Sequence, residues 1–440
     1  MELLVRWGES FESFVGGIAS APTANTLMLF RFIIFLMTVL FIAGTGLQFG
    51  SLLLSVLFDL SDHFKRDDNH AGFAERLAGV AGGTIALPVI FGLLPLMTIA
   101  LCYSRVYYGG TALLPAFFLA AAVFCAVAGI LARLFCKTVP LRGVRYRSHI
   151  AYGIAALMLY LGMYHIYAAG AVLALTPEKW PFVTTSPHQT FLSWNTIFRF
   201  KELVVFAVLF AAVTLRIGYF AWPEGEMAKA SEEERRFAGF VLGWWGFVFN
   251  LAYPAILLLY LINLPPGSIR REMFTVLVAT LLLLHPLVMY SFATGRRCVA
   301  KRPVASFILV FLVLLLGVTN QTLAESRANV DRLSLLRLEA GEAEKERETV
   351  REAKAEEGKK IDGKEVFQRV CSACHKFDAR LVGPPLAERI PKYKGKQEEL
   401  EKFLANPVKK DPAYPPMPKP AVTPDERKAV AEYLLETLAK

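Results

Sequence analysis

The chain has 440 residues, 55% of them hydrophobic and 20% charged, with a mean hydropathy of +0.42. Soluble proteins carry about 45–50% apolar and about 25% charged residues, so a single soluble globule, a disordered chain and a fibrous repeat are excluded. Six cysteines are too few for a disulfide scaffold, and the formal charge of +10 has to be read from its placement before nucleic acid is considered.

In chain order, residues 1–25 come first. Leu4, Trp7, Phe11, Phe14 and Ile18 recur at helical spacing, with Arg6, Glu9 and Glu12 between them. This pattern predicts an amphipathic helix lying on a membrane surface. The segment lacks the basic start and apolar centre of a cleaved secretory signal. Residues 26–321 then hold eight apolar runs, at about 26–48, 80–103, 112–135, 148–176, 200–222, 238–263, 272–293 and 303–321. A helix needs roughly 20 apolar residues to cross a hydrocarbon core of about 30 Å. These runs are too long and too uniformly apolar for barrel strands. The expected fold is all-α, a polytopic transmembrane bundle of about eight spans followed by a small α-helical domain.

Lys and Arg in the short connections set the orientation. Loops 1, 3, 5 and 7 hold about fifteen, whereas the N-terminus and loops 2, 4 and 6 hold about seven. The odd loops are therefore expected on the cytoplasmic side, and an even number of spans puts both termini outside. The positive charge thus reads as topology, and nucleic acid is not expected as a partner. Residues 322–360 change composition abruptly, and Ala340–Lys360 is nearly all Glu, Lys, Arg, Ala and Gly. Such a run is a charged helical linker rather than a core.

The tail, 361–440, contains Cys371-Ser-Ala-Cys374-His375, a C-x-x-C-H haem-attachment sequence. Two thiols so spaced can each add to a vinyl group of one haem, and the next residue can reach the iron. A zinc site would need two further ligands, and the tail has no other Cys or His. Met417 is the only Met after Met289 and lies in Tyr414-Pro-Pro-Met417-Pro418, a stiff loop suited to a second axial ligand. The segments 361–370 and 424–438 read as helices, with Thr423 as N-cap and Pro424 at the first helical position. A domain this small buries little core of its own, so a covalent haem would supply the apolar centre.

These residues make 361–440 resemble the class I, single-haem cytochromes c. The resemblance includes Gly363 and Phe367 on the first helix, Cys371, Cys374 and His375, Gly383-Pro384-Pro385-Leu386, the Met417 loop, and Tyr433 on the last helix. It implies that the first and last helices cross at Gly363, Phe367 and Tyr433. It also implies that Pro384 or Pro385 supports the haem histidine, and that His375 and Met417 hold the iron of one covalent haem c. C-type haem is attached outside the cytoplasm in that family. Together with the loop charges, this places the haem domain on the periplasmic side of a prokaryotic inner membrane. The membrane part is similar only in architecture to other polytopic bacterial proteins with a C-terminal cytochrome c.

In the bundle, His165 and His285 are the one intramembrane histidine pairing available for a haem b. Glu202, with His165 and His188 toward the same side, forms a candidate quinol site. Charged residues within spans are functional candidates by default, and here they are Arg31, Arg199, Lys201, Glu202 and Arg216. Three readings follow. The first is electron transfer in a respiratory chain, from a quinol or a partner subunit through haem c to a soluble carrier or another respiratory subunit. The second is oxidation of a small substrate with the cytochrome as built-in acceptor. The third is a structural haem-bearing subunit of a larger complex.

Overall fold

The computed structural model describes residues 2–18, 24–65, 68–107, 112–186, 188–330, 334, 338, 341–342, 345–351 and 361–438. The chain forms two compact units, Met1–Glu342 and Ala343–Lys440. Among the described residues both are helical, without strands. About half of the 322–360 linker, including 352–360, lies outside the described residues, whereas 345–351 is helical.

Helix α1, Glu2–Ile18, precedes the long α2, Ala24–Lys65. In α1, Leu4, Val5 and Phe11 pack on the bundle core, while Leu3, Trp7 and Phe14 are exposed. Asp68–Gly82 forms a separate helix, α3. The bundle continues with α4 (Ala86–Val106), α5 (Leu113–Thr138), α6 (Arg142–Ala174), α7 (Trp194–Phe220), α8 (Glu232–Ile262), α9 (Arg271–Arg297) and α10 (Pro303–Ala328).

Among the described residues, seven continuous helical stretches are long and apolar enough to cross a membrane, and the third of them, Leu113–Ala174, has 62 residues. As one straight rod it would measure about 93 Å, some three times the hydrocarbon thickness. A 3-10 turn at Val139–Leu141 instead folds it into a hairpin of α5 and α6. The arms lie against each other, with the His149 ring stacked on Phe135 at 4.3 Å and Thr138 Oγ1 2.8 Å from His149 Nδ1. With the hairpin counted as two arms, eight helices among the described residues, α2 and α4 to α10, are long enough to cross.

Two features depart from the apolar runs. The first connection is not a plain loop, because α3 buries Phe73, Ala74, Leu77, Ala78 and Ala81. The second span begins at Ala86, after a break at Gly83–Ile85 that hydropathy alone does not register. Within α4 a π turn, Val89–Leu93, stands just ahead of Pro95. A proline ring lacks the N–H and crowds the carbonyl four residues back, and the wider turn relieves that crowding.

Packing inside the bundle relies on close backbone approach rather than on water exclusion, since lipid is as apolar as the side chains. In α2, Gly46 and Gly50 form a G-x-x-x-G face against Ala207 and Ala211 of α7. A β-carbon on Gly50 would stand 2.3 Å from that of Ala211. Large apolar side chains such as Phe32, Val248, Phe274 and Leu282 point outward.

The second unit has a short helix α11, Gly363–Val366, continued by a π turn, Phe367–Cys371. Helices α12 (Leu386–Arg389), α13 (Gln397–Ala405) and α14 (Pro424–Leu438) follow. Val366, Phe367, Leu386, Ile390, Leu400, Leu404, Val430, Ala431 and Leu434 make the core.

Candidate functional site

Helix α11 meets α14 at Gly363, where a β-carbon would lie 2.0 Å from the Ala429 carbonyl oxygen. The Phe367 ring stacks on Phe377 at 4.9 Å and lies 6.0 Å from the Tyr433 ring. Helix α14 starts with a complete capping box. The Thr423 hydroxyl accepts from Glu426 N–H at 3.3 Å, and the Glu426 carboxylate accepts from Thr423 N–H at 2.8 Å.

The crossing anchors the C-x-x-C-H turn. The π turn ends with Ser372 N–H donating to the Phe367 carbonyl at 2.9 Å, and His375 N–H then donates to the Cys371 carbonyl at 3.0 Å. Gly383 N–H donates to the Cys374 carbonyl at 2.9 Å, which draws the Gly-Pro-Pro segment alongside. His375 Nδ1 sits 3.1 Å from the Pro384 carbonyl, while Pro385 caps α12 instead. Holding Nδ1 in this way leaves Nε2 available to a metal and fixes the ring plane. Gly383 makes room for the ring, because a β-carbon there would lie 2.2 Å from His375 Cε1.

Cys371 and Cys374 are partly buried free thiols. Burial pushes the Cys371 thiol up, and the neighbouring Cys374 adds to the shift. Cys371, Phe377 and Met417 pack against the apolar core of the unit. The Met417 loop is held from its Tyr414 side. The Arg380 guanidinium lies over the Tyr414 ring at 4.7 Å and donates to the Ala413 carbonyl, while Arg389 pairs with Asp411. That pairing and the Ala413 N–H hold the Asp411 carboxyl below its usual range, the N–H contributing more. Two thiols one turn apart, an oriented imidazole beside them and a thioether packed on the same core as Cys371 suit a haem. Among the described residues no set of three or more His, Cys, Asp or Glu offers an alternative metal cluster.

The fold and this site together define a polytopic membrane protein that ends in a small helical haem domain. Residues 361–438 match the family model described as Cytochrome c. The same region is 38% identical over 78 residues to cytochrome c-551 of Pseudomonas denitrificans, covering 17% of this chain and 94% of that protein. It is 36% identical over 72 residues to cytochrome c-552 of Hydrogenobacter thermophilus, covering 16% of this chain and 72% of that protein. Through this C-terminal domain the chain belongs to the cytochrome c family. The domain implies covalently attached haem c and electron transfer, joined here to a membrane-embedded helical part. No solved structure matches the chain.

The membrane candidates are distributed unevenly. Glu202 is 4% exposed. Its two oxygens accept from Arg199 Nη1 at 2.6 Å and from the Tyr253 hydroxyl at 2.9 Å. Arg199 also donates to Gln321 and lies over the Tyr260 ring at 5.2 Å. This cluster walls a small cavity with Ile42, Phe206, Leu314 and Gly317, with room for about one water molecule. His165 is half-buried, bonded to the Phe191 backbone and in edge contact with Phe200. His188 is exposed on the short helix His188–Phe191. The structure gives neither histidine a contact with Glu202. His285 is exposed on α9, which packs on α8 and α10, whereas α6 packs on α2, α5 and α7. The structure therefore does not bring His165 and His285 together around a common cofactor.

Sequence reasoning missed the partners that complete the buried cluster. Gln321 Nε2 donates to Glu325 at 2.9 Å, and the Tyr103 hydroxyl donates to the same carboxylate at 2.8 Å. Helix α10 runs to Ala328, so Glu325 is buried in the bundle. The available signal was Glu325 itself, one turn beyond Gln321 at the end of an apolar run.

Proposed function

We infer that the chain is a membrane-bound electron carrier that takes electrons from a lipid-soluble quinol and delivers them to a soluble or membrane-bound acceptor. Cys371 and Cys374 attach the haem, and His375 and Met417 hold its iron. When bound, the haem supplies a one-electron iron couple. The Pro384 carbonyl keeps the imidazole oriented, and a thioether opposite a histidine favours a high potential.

The observation that carries the donor assignment is Glu202. A quinol gives up two protons with its two electrons, so its site needs a base. Glu202 is a carboxylate inside the membrane, held by Arg199 and Tyr253 at the wall of a water-sized cavity. A base can act through one intervening water, so a quinol hydroxyl rather than its whole ring has to reach this point. The loop charges support an orientation with the haem domain and both termini on the periplasmic side of a prokaryotic inner membrane.

The test is haem reduction by added quinol in purified protein. Wild type should reduce, and Glu202→Gln should be at least tenfold slower while a small soluble reductant still reduces both equally. Equal quinol rates in the two proteins would remove Glu202 and with it this donor assignment.

A further inference from the structure

Helix α2 carries a buried polar line that the reading above does not use. Thr38, Thr45, Gln48, Ser51, Ser55 and Asp59 are each no more than 3% exposed. From Thr38 to Asp59 is 21 residues, a rise of about 31 Å, which matches a hydrocarbon core of about 30 Å.

Helix α6 runs antiparallel beside it and meets four of the six groups, while Ser55 donates to the Ala74 carbonyl of α3 at 2.6 Å. Tyr167 hydrogen-bonds Thr38, the Tyr164 hydroxyl donates to Thr45 at 3.2 Å, and the Tyr160 hydroxyl donates to Gln48 at 2.9 Å. At the far end His149 Nε2 stands 3.2 Å from Asp59. Both ends of the line reach ionisable groups. Tyr167 also bonds Gln321, which leads to Glu325, and Asp59 lies 3.6 Å from the partly exposed Arg142.

Polar residues between membrane helices commonly serve as glue. Glue, however, needs partners, and here Gln48 Nε2 and Ser51 Oγ have none although both residues are buried. From Thr45 to Asp59 successive groups are three or four residues apart, a rise of about 4.5–6 Å. One water making two hydrogen bonds of about 2.8 Å spans such a gap. Hydroxyls and water both donate and accept, so with water passing the Gln48 amide, which can hold that water but does not itself relay, the line can pass a proton by exchanging O–H bonds.

We propose that the α2–α6 seam is a proton path across the bundle, joining Asp59 and His149 at one end to the Gln321–Glu325 cluster at the other. A proton taken up at one end is matched by a proton released at the other. Only O–H and N–H bonds are made and broken, and no oxidant or reductant is consumed.

The test uses the full-length, haem-loaded chain in lipid vesicles enclosing a pH-sensitive dye, with a potassium diffusion potential imposed by valinomycin. No electron donor is present, so the outcome is separate from the quinol assignment. Wild type should move protons at least fivefold faster than protein-free vesicles. Ser51→Ala and Thr45→Val should each bring that flux down to near the protein-free level, and Thr45→Ser should keep it. Ser51→Ala is decisive because its hydroxyl bonds nothing in the structure, so a purely structural seam predicts no change. Should Thr45→Val fail to fold, as judged by near-ultraviolet circular dichroism, Ser51→Ala still gives the answer. Wild-type flux equal to that of empty vesicles, or an undiminished flux in Ser51→Ala, overturns the proposal.

Discussion

Replacing Gly363 by alanine places one methyl group at the crossing of α11 and α14. That carbon would stand 2.0 Å from the Ala429 carbonyl oxygen, 2.6 Å from its carbon and 2.8 Å from Tyr433 Cβ. Two of these three atoms are backbone, so no side-chain rotation relieves the clash. Ordinary contact begins at 3.4 Å, which requires the helices to part by about 1.4 Å. A gap of about 0.5–1 Å already forfeits a quarter to a half of a dispersion well. Overpacking of this kind costs about 1–3 kcal/mol. The opposing gain in helix propensity is at most about 1 kcal/mol in a helix interior and smaller at a first residue. The clash wins, with a net loss of about 2 kcal/mol, a large share of the 4–12 kcal/mol expected for about 80 residues. Guanidinium unfolding of the full-length protein, followed through haem absorbance, should show the midpoint falling by about 0.7 M for a slope near 3 kcal/mol/M. The exposed neighbour Lys364→Ala should stay within about 0.5 kcal/mol of wild type. A Gly363→Ala midpoint unchanged or raised would refute the reasoning.

At the haem site, Gly383→Ala should drive the His375 ring back by about 1.2 Å and break its contact with the Pro384 carbonyl. Haem should remain covalently attached by pyridine haemochrome assay while electron paramagnetic resonance shows altered ligation, and an unchanged spectrum would count against this placement. At the start of α14, the Thr423 N–H and then Arg369 hold the Glu426 carboxyl below its usual range. Its contribution is therefore present above the ordinary carboxylate range and is lost as pH falls through the folded-state value. Unfolding curves of wild type and Glu426→Gln should differ at neutral pH and converge in acid, and parallel curves at every pH would contradict the pairing.

The apolar runs and the C-x-x-C-H sequence were legible because each depends on residues close together in the chain. Span length is a local property, and so is the spacing of two thiols and a histidine. Helix α3 was not legible, because Asp68, Asn69, Glu75 and Arg76 make its sequence read as a polar loop while Phe73 and Leu77 face inward. Depth within a span could be counted for His285, but its direction could not, and the structure turns it outward. The partners of Glu202 are set by tertiary contact, with Tyr253 51 residues away and Arg199's partner Gln321 122 residues away. The polar line on α2 was readable in principle from its three- and four-residue spacing. Averaged hydropathy conceals it, because six polar positions vanish inside a long apolar helix.

Arg216 bears on how the bundle is put together in the membrane. Its side chain is fully buried, and its nearest hydrogen-bond acceptors are the Leu242 carbonyl of α8 at 2.8 Å and the Ser291 hydroxyl of α9 at 3.1 Å. An arginine at the centre of a lone inserted helix costs about 2.5–3.5 kcal/mol, and less near an end, where Arg216 lies four residues from Phe220. Helix α7 also carries Arg199 and Glu202, whose acceptors and donors come partly from α8 and α10. Apart from the Arg199–Glu202 pair within α7 itself, the groups that receive these charges are synthesised after α7. During biogenesis the charges of α7 therefore find their remaining partners only as its successors emerge, and their settled pairing is a collective act of the last four helices.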